Sequence, residues 1–287
     1  MIFPYIFAWL ASLMYGAEGV IGKLISRHSV PNPWLLNFFW NLFILVLIIP
    51  VALWQGGLVW PADWTNIIWA SIFYAGGTAF YVLALYKMDV SVLAPLFSFR
   101  TAMAVIIGAL MLGELLTGRQ YLLIAVIFLF GLFVSVDERF ELKSFFNWST
   151  ALALLDMLLL VFMAVFIKKS AAEIGYWGTT LWSALLGQIW LLATWPLFKQ
   201  DLSRVSLKQY GFMFIPAAAG MIGTFAANKA YAVSVSLTSA IVSLPLSMVI
   251  AFLFSIFAPE LLEKHTFKVY AVRFASAAAM IVAALNL

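Results

Sequence analysis

Runs of about twenty apolar residues, separated by short polar clusters, set the plan of this chain. They fall at roughly 3–22, 33–54, 65–86, 91–112, 119–136, 148–167, 177–198, 209–231, 237–258 and 267–286. At about 1.5 Å per residue, each run can cross a hydrocarbon layer about 30 Å thick. None alternates apolar and polar with a period of two, as the strands of a membrane β-barrel do. Backbone groups in lipid need partners within their own segment, so the pattern predicts ten transmembrane helices.

The pattern is also written twice. Met88-Asp-Val-Ser-Val-Leu93, an apolar run and Leu112-Gly-Glu-Leu-Leu116 return as Val233-Ser-Val-Ser-Leu237, a similar run and Pro259-Glu-Leu-Leu262. Lys23 matches Lys168, Pro50 matches Pro196, Tyr86 matches Tyr231 and Glu114 matches Glu260, always about 145 residues apart. The expected domains are a five-helix repeat over 1–143 and a second over 144–287. An odd number of crossings inverts the second copy relative to the first, an arrangement many secondary transporters use to enclose a midplane site. The fold class expected is an all-α integral membrane protein of ten helices, built as two inverted repeats.

Composition agrees with a lipid solvent: 65% of residues are hydrophobic and 10% charged. Cysteine is absent, which excludes disulfides and thiolate metal sites. No metal site and no cofactor are expected, and His28 and His265 fall in loops. The net charge of +4 contains no basic run longer than two residues, so membrane flanks explain it and nucleic acid is not an expected partner. The first apolar run continues into a unit that the other half also possesses, which reads as a helix and not as a cleaved leader. Glycine-rich nucleotide loops, metal-ligand clusters and nucleophile–base pairs are absent, so an enzyme is not expected.

Basic residues bias the loops. Lys23, Arg27, Lys87, Arg139, Lys143, Lys199, Arg204, Lys208, Lys264 and Lys268 follow the odd-numbered spans, against Arg119, Lys168 and Lys169 on the other side. The positive-inside rule then places both termini outside a prokaryotic plasma membrane.

Three segments resemble the EamA-type branch of the drug/metabolite transporter superfamily. They are Tyr15-Gly-Ala-Glu-Gly-Val-Ile-Gly-Lys23, Leu112-Gly-Glu-Leu-Leu-Thr117 and the degenerate copy Pro259-Glu-Leu-Leu262. The resemblance implies two five-helix halves around a central cavity, lined by the first, third and fourth helices of each, and alternating access. It also implies substrates drawn from amino acids, metabolites, cations, nucleotide sugars and organic phosphates. Ala17-Glu18-Gly-Val-Ile-Gly22 is similar to the proton-coupled first helix of the small multidrug resistance proteins. Glu18 and Arg100 depart from the ten-helix pattern, and family members usually keep both termini in the cytoplasm, against the loop bias here.

A charge at mid-membrane costs about 2.5–3.5 kcal/mol on insertion scales, so each asks for a partner or a wet chamber. Arg100 lies near the centre of the fourth span and Asp156 about 12 Å into the sixth. Either they pair and pin the halves together, or Arg100 meets a substrate anion while Asp156 meets a cation or a proton. Glu18, about one and a half turns deep among Gly16, Gly19 and Gly22, either hydrates from the helix end or titrates as a proton-coupling group. Lys229 is a ligand contact or a snorkelling lysine. Arg273 packs within the bundle or reaches a lipid headgroup, while Ala271, Ala275, Ala279 and Ala283 form a small-residue seam beside it.

Uncharged polar residues align at helical spacing. Ser71, Tyr74, Thr78 and Tyr81 share a face of the third span, and Ser236, Ser239, Ser243 and Ser247 share one of the ninth. Both faces are expected to line the cavity; Asn37 and Asn41 lie one turn apart on the second span with Trp40 beside them, and Trp40 and Asn41 join the substrate-binding candidates. Tyr74, Tyr81, Trp40 and Trp182 could stack on an organic ligand. Pro95 and Pro245 interrupt their helices, and Gly77 and Gly223 occupy matching places, which marks all four as hinge candidates.

The function expected is secondary transport of a small polar metabolite, amino-acid-like or otherwise charged. The transporter would export, coupled to protons, and act as a monomer or homodimer. The alternatives are an organic anion or phosphate-ester exchanger using Arg100 and Lys229, and a lipid flippase or scramblase using Arg273.

Overall fold

The computed structural model describes residues 3–88, 90–134, 148–257 and 267–287, and the regular structure among them is entirely helical. The segment with the expected repeat boundary at 143/144, and Arg139, Lys143, Pro259 to Leu262, Lys264 and His265, lie outside the described residues.

Local signals start and stop the helices where the apolar runs change. Helix α1 (Phe3–His28) runs six residues past its expected end at Gly22, because Lys23 is buried and does not flank the membrane. Its ammonium donates to the carbonyls of Leu85 (2.7 Å) and Met88 (2.8 Å) at the end of α3. Asn32 opens α2 (Pro33–Trp54) by accepting from the amides of Trp34 and Leu35, ahead of a proline at the first helical position. Ahead of α3 (Thr65–Lys87), Asp63 accepts from Thr65 N, and the Thr65 hydroxyl and amide together hold its exposed carboxyl below the usual range. Helix α4 (Val90–Leu112) ends at Gly113, whose φ of 62° suits only glycine comfortably. Reciprocal Thr117/Gln120 and Ser206/Gln209 capping boxes begin α5 (Gly118–Val134) and α7 (Leu207–Tyr231).

Two expected spans are joined in one 44-residue element, α6 (Trp148–Leu191). It breaks at Gly175 (φ 76°, ψ 171°), and the Ser170 and Thr179 hydroxyls meet at 3.0 Å across that break. Nine residues of continuous helix would separate them by about 13.5 Å, so the chain folds back into two legs. Both legs pack on α3. Phe162 and Phe166 stack on Phe73 from the first, while Tyr74 and Trp64 meet Gly187 and Trp182 of the second. Conversely, the expected ninth span is split. Helix α8 (Val235–Val242) stops short of Pro245, and α9 (Leu246–Phe257) resumes after it. Helix α10 (Phe267–Leu285) packs on α5, and α1 on α7.

Six helical stretches among the described residues are long and apolar enough to cross a membrane, and three shorter apolar helices accompany them. One stretch, Trp148–Leu197, contains both legs of α6. Exposed leucine, isoleucine and tryptophan side chains cover the outer surface, as lipid contact requires. The chain is a multi-pass helical membrane protein.

Candidate functional site

Glu18, Arg100 and Asp156 line one cavity of about 150 Å3. Helix α1 brings Ser12, Tyr15 and Glu18; α2 brings Asn37, Trp40 and Asn41; α3 brings Tyr74, Thr78 and Tyr81. Phe97 and Arg100 come from α4, Asp156, Leu160 and Met163 from the first leg of α6, and Thr224 and Tyr231 from α7. Val242, Leu244 and Ser247 close the wall where Pro245 separates α8 from α9.

Glycines let the polar groups approach. A Cβ on Gly220 would lie 2.3 Å from Glu18 Oε1, so only a glycine on α7 admits that carboxylate. Glu18 Oε1 accepts from Trp40 Nε1 at 2.7 Å, and the Trp40 ring passes over Gly22. Tyr74 donates to Asn41 Oδ1 (2.5 Å), while Asn41 Nδ2 donates back to Asn37 O and Oδ1. Trp40, Tyr81 and Phe97 follow one another edge-on along one wall, with centroids 6.5 and 6.2 Å apart.

Arg100 and Asp156 are handled differently. Arg100 is 4% exposed; its Nη2 donates to the Tyr231 hydroxyl, and its Nε has no protein partner. Asp156 is 0% exposed, and neither of its carboxyl oxygens has a hydrogen-bond partner. No ion pair within 4.0 Å joins the two among the described residues. An unsatisfied buried polar group costs about 1–3 kcal/mol, more when charged, so the fold holds open two charges that a direct pair would have offset.

Eight of the substrate-binding candidates, Glu18, Trp40, Asn41, Tyr74, Thr78, Tyr81, Arg100 and Asp156, thus meet at one chamber, with Asn37 and Ser247 beside them. The others do not. Lys229 points away, exposed, with its ammonium 4.3 Å from the centre of the Phe7 ring. Ser243 is buried against its own helix, donating to Ser239 O at 2.5 Å. Ser236 donates to Ala104 O, and only Ser247 of that serine face reaches the cavity. Ser71 bonds Ile68 O and Trp190, and Trp182 stacks with Trp60 and Trp64. Arg273 is fully buried and so does not reach a lipid headgroup.

Of the hinge candidates, Pro245 coincides with a break between helices. Gly77 and Gly223 sit in unbroken helices and serve close packing, against Leu160 and the Tyr15 ring. Helix α4 continues through Pro95, whose side chain lies outside the described residues. Tyr15, Thr224 and Tyr231 escaped the sequence reading as site residues. They lack formal charge and form no aligned face, although Tyr231 was visible as the repeat partner of Tyr86.

No group of three or more His, Cys, Asp or Glu side chains suited to a metal occurs among the described residues. Taken together, helices of membrane length around a chamber lined by one cation and two carboxylates define a multi-pass membrane protein with a polar interior. Residues 2–136 match the model of the EamA-like transporter family, a similarity consistent with the drug/metabolite transporter superfamily. A solved crystal structure shares the fold with a TM-score of 0.69 over 99% of this chain and 98% of that one, at 15% identity. No curated protein matches the chain significantly.

Proposed function

We propose that this protein is a secondary transporter of a small zwitterion of amino-acid size, working by alternating access. Two inverted five-helix copies, ten crossings in all, would enclose the site. The matching contacts of Lys23 with Met88 O and of Lys168 with Val233 O, about 145 residues apart, support that duplication. The observation that carries the reading is the separated pair. Arg100 Nε and both Asp156 carboxyl oxygens are buried without a protein partner, in side chains that line one cavity, so a ligand bearing a carboxylate and an ammonium would satisfy both once the site opens to it.

Size narrows the class. A dry engineered cavity of about 150 Å3 takes a single benzene ring, which supports a ligand of amino-acid size here. The anion-exchanger alternative loses its second cation, because Lys229 faces away. Glu18, freed from Trp40, is the group we assign to proton coupling, with Asp156 as its partner in that task. The direction is export, from a prokaryotic plasma membrane, as a monomer or homodimer, with both termini outside on the loop bias.

The experiment is thermal stabilisation of the purified protein across a panel of amino acids, their amides and their decarboxylated forms. Zwitterions are expected to raise the melting temperature, Arg100→Ala to abolish that rise, and Arg119→Ala, at the exposed start of α5, to keep it. Equal losses in the two variants would contradict the site.

A further inference from the structure

Beyond the cavity, a second charged cluster lies where α4, α7 and α8 end or begin. Gly113 turns the chain at the end of α4 and delivers Glu114 to the start of α8. There Glu114 Oε1 accepts from Lys168 Nζ (2.7 Å) and Val235 N (2.8 Å), and Oε2 from Ser236 N (3.0 Å) and Ser234 Oγ (3.2 Å). Lys168, from the first leg of α6, also donates to Val233 O at 2.9 Å. Four donors from two distant segments therefore converge on one carboxylate of a third.

The cluster caps a dry seam. Ser236 Oγ donates to Ala104 O, and a Cβ on Gly108 would meet that oxygen at 2.6 Å, so α4 and α8 touch backbone to side chain just inside Glu114. Tyr231, Val235, Val161, Ala164 and Leu112 pack apolar groups around it. Glu114 is fourteen residues beyond Arg100 on the chain, whereas the cavity runs the other way to Leu85 and Leu93, near the opposite ends of α3 and α4. Tyr231, the hydroxyl partner of Arg100, is two residues before Val233, the carbonyl that Lys168 holds. A ligand anion that draws Arg100 from Tyr231 thereby disturbs the segment that carries the latch.

We infer that Glu114 and Lys168 are positioning residues of transport: their bonds to the 233–236 segment latch the cavity shut towards the α4 C-terminal face, and must part for the site to open there. The inference rests on the alternating-access reading above. Glu114 itself does not line the cavity.

The chain contains no cysteine, so one introduced thiol reports access without background. Ser12, buried in the cavity wall, takes the conservative Ser12→Cys change. Labelling by a membrane-impermeant methanethiosulfonate is followed separately from each face of oriented vesicles. The Ser12→Cys parent is expected to react chiefly from the face opposite the α4 C-terminus. Adding Glu114→Gln or Lys168→Met raises the rate from the α4 C-terminal face at least tenfold, and adding Lys169→Met does not. Reactivity retained from the opposite face shows that each variant has folded, and Lys168→Met carries the test alone if Glu114→Gln does not fold. If the thiol stays reactive from the opposite face while neither change raises the α4-face rate, the latch is wrong and the cavity reading stands. A thiol that reacts from neither face in every variant, or equally from both in the parent, overturns the one-sided cavity and the latch with it.

Discussion

Two carboxylates in this molecule receive opposite treatment. Glu114, at the rim, is given an ammonium, two amides and a hydroxyl, while Asp156, in the interior, is given nothing. The first is where the protein satisfies its own charge and holds a shape. The second is where it leaves a charge unsatisfied around a void. A saturated carboxylate is a fastener, and an empty-handed one beside a cavity is half of a binding site.

The largest expected effect comes from spoiling the interior. Gly223→Leu adds a side chain where a Cβ alone would lie 2.7 Å from the Tyr15 ring in the cavity wall. We expect overpacking to cost about 1–3 kcal/mol and to displace Tyr15, read as a lower melting temperature together with lost ligand stabilisation. Tyr231→Phe is gentler. It removes one neutral acceptor from Arg100, so ligand affinity should change by about 0.5–1.5 kcal/mol in titration calorimetry. At the periphery, Lys229→Ala should leave affinity unchanged, because its ammonium rests on Phe7 outside the cavity.

The comparison also yields a pH test. Burial alone would raise the Glu114 carboxyl, but the Lys168 ammonium and the amides of Ser236 and Val235 outweigh it and bring its pKa down to about 2. A depressed carboxyl contributes stability that is complete above the ordinary carboxylate range, about 4.3, and is lost as pH falls through about 2. Between pH 5 and 8 the rim cluster therefore keeps its charge. The ratio of Ser12→Cys labelling rates from the two faces, in which the thiol's own ionisation cancels, should be flat across that interval in the absence of ligand.

Much of this was legible along the chain, for one physical reason. A charge inside an apolar run is expensive, so Arg100, Asp156 and Glu18 advertised themselves before any fold was known. Helix ends at Asn32, Asp63 and Ser206 were set by local chemistry, and the apolar runs of α2, α3 and α4 match their helices to within a residue. Direction in space was not legible. The serine face of the ninth span and the polar face of the third look alike at helical spacing. Tyr74, Thr78 and Tyr81 reach the cavity, whereas Ser236 is absorbed by α4, Ser243 by its own backbone, and Ser239 is buried away from the cavity with its hydroxyl unpartnered. Lys23 read as a membrane flank because its partners, two carbonyls at the end of α3, carry no mark in sequence. Glu114 stood out only as half of a repeated motif. Its partners come from segments 54 and 121 residues away, beyond the reach of any local pattern.

The most direct measurement of the central claim is a calorimetric comparison of Arg100→Ala and Asp156→Asn. The ligands are the amino acid that stabilises the protein most and its decarboxylated amine. The account predicts that Arg100→Ala weakens the amino acid at least tenfold while leaving the amine unchanged, and that Asp156→Asn weakens both. If the amine loses as much as the amino acid in Arg100→Ala, the arginine does not receive a carboxylate, and the zwitterion site is contradicted.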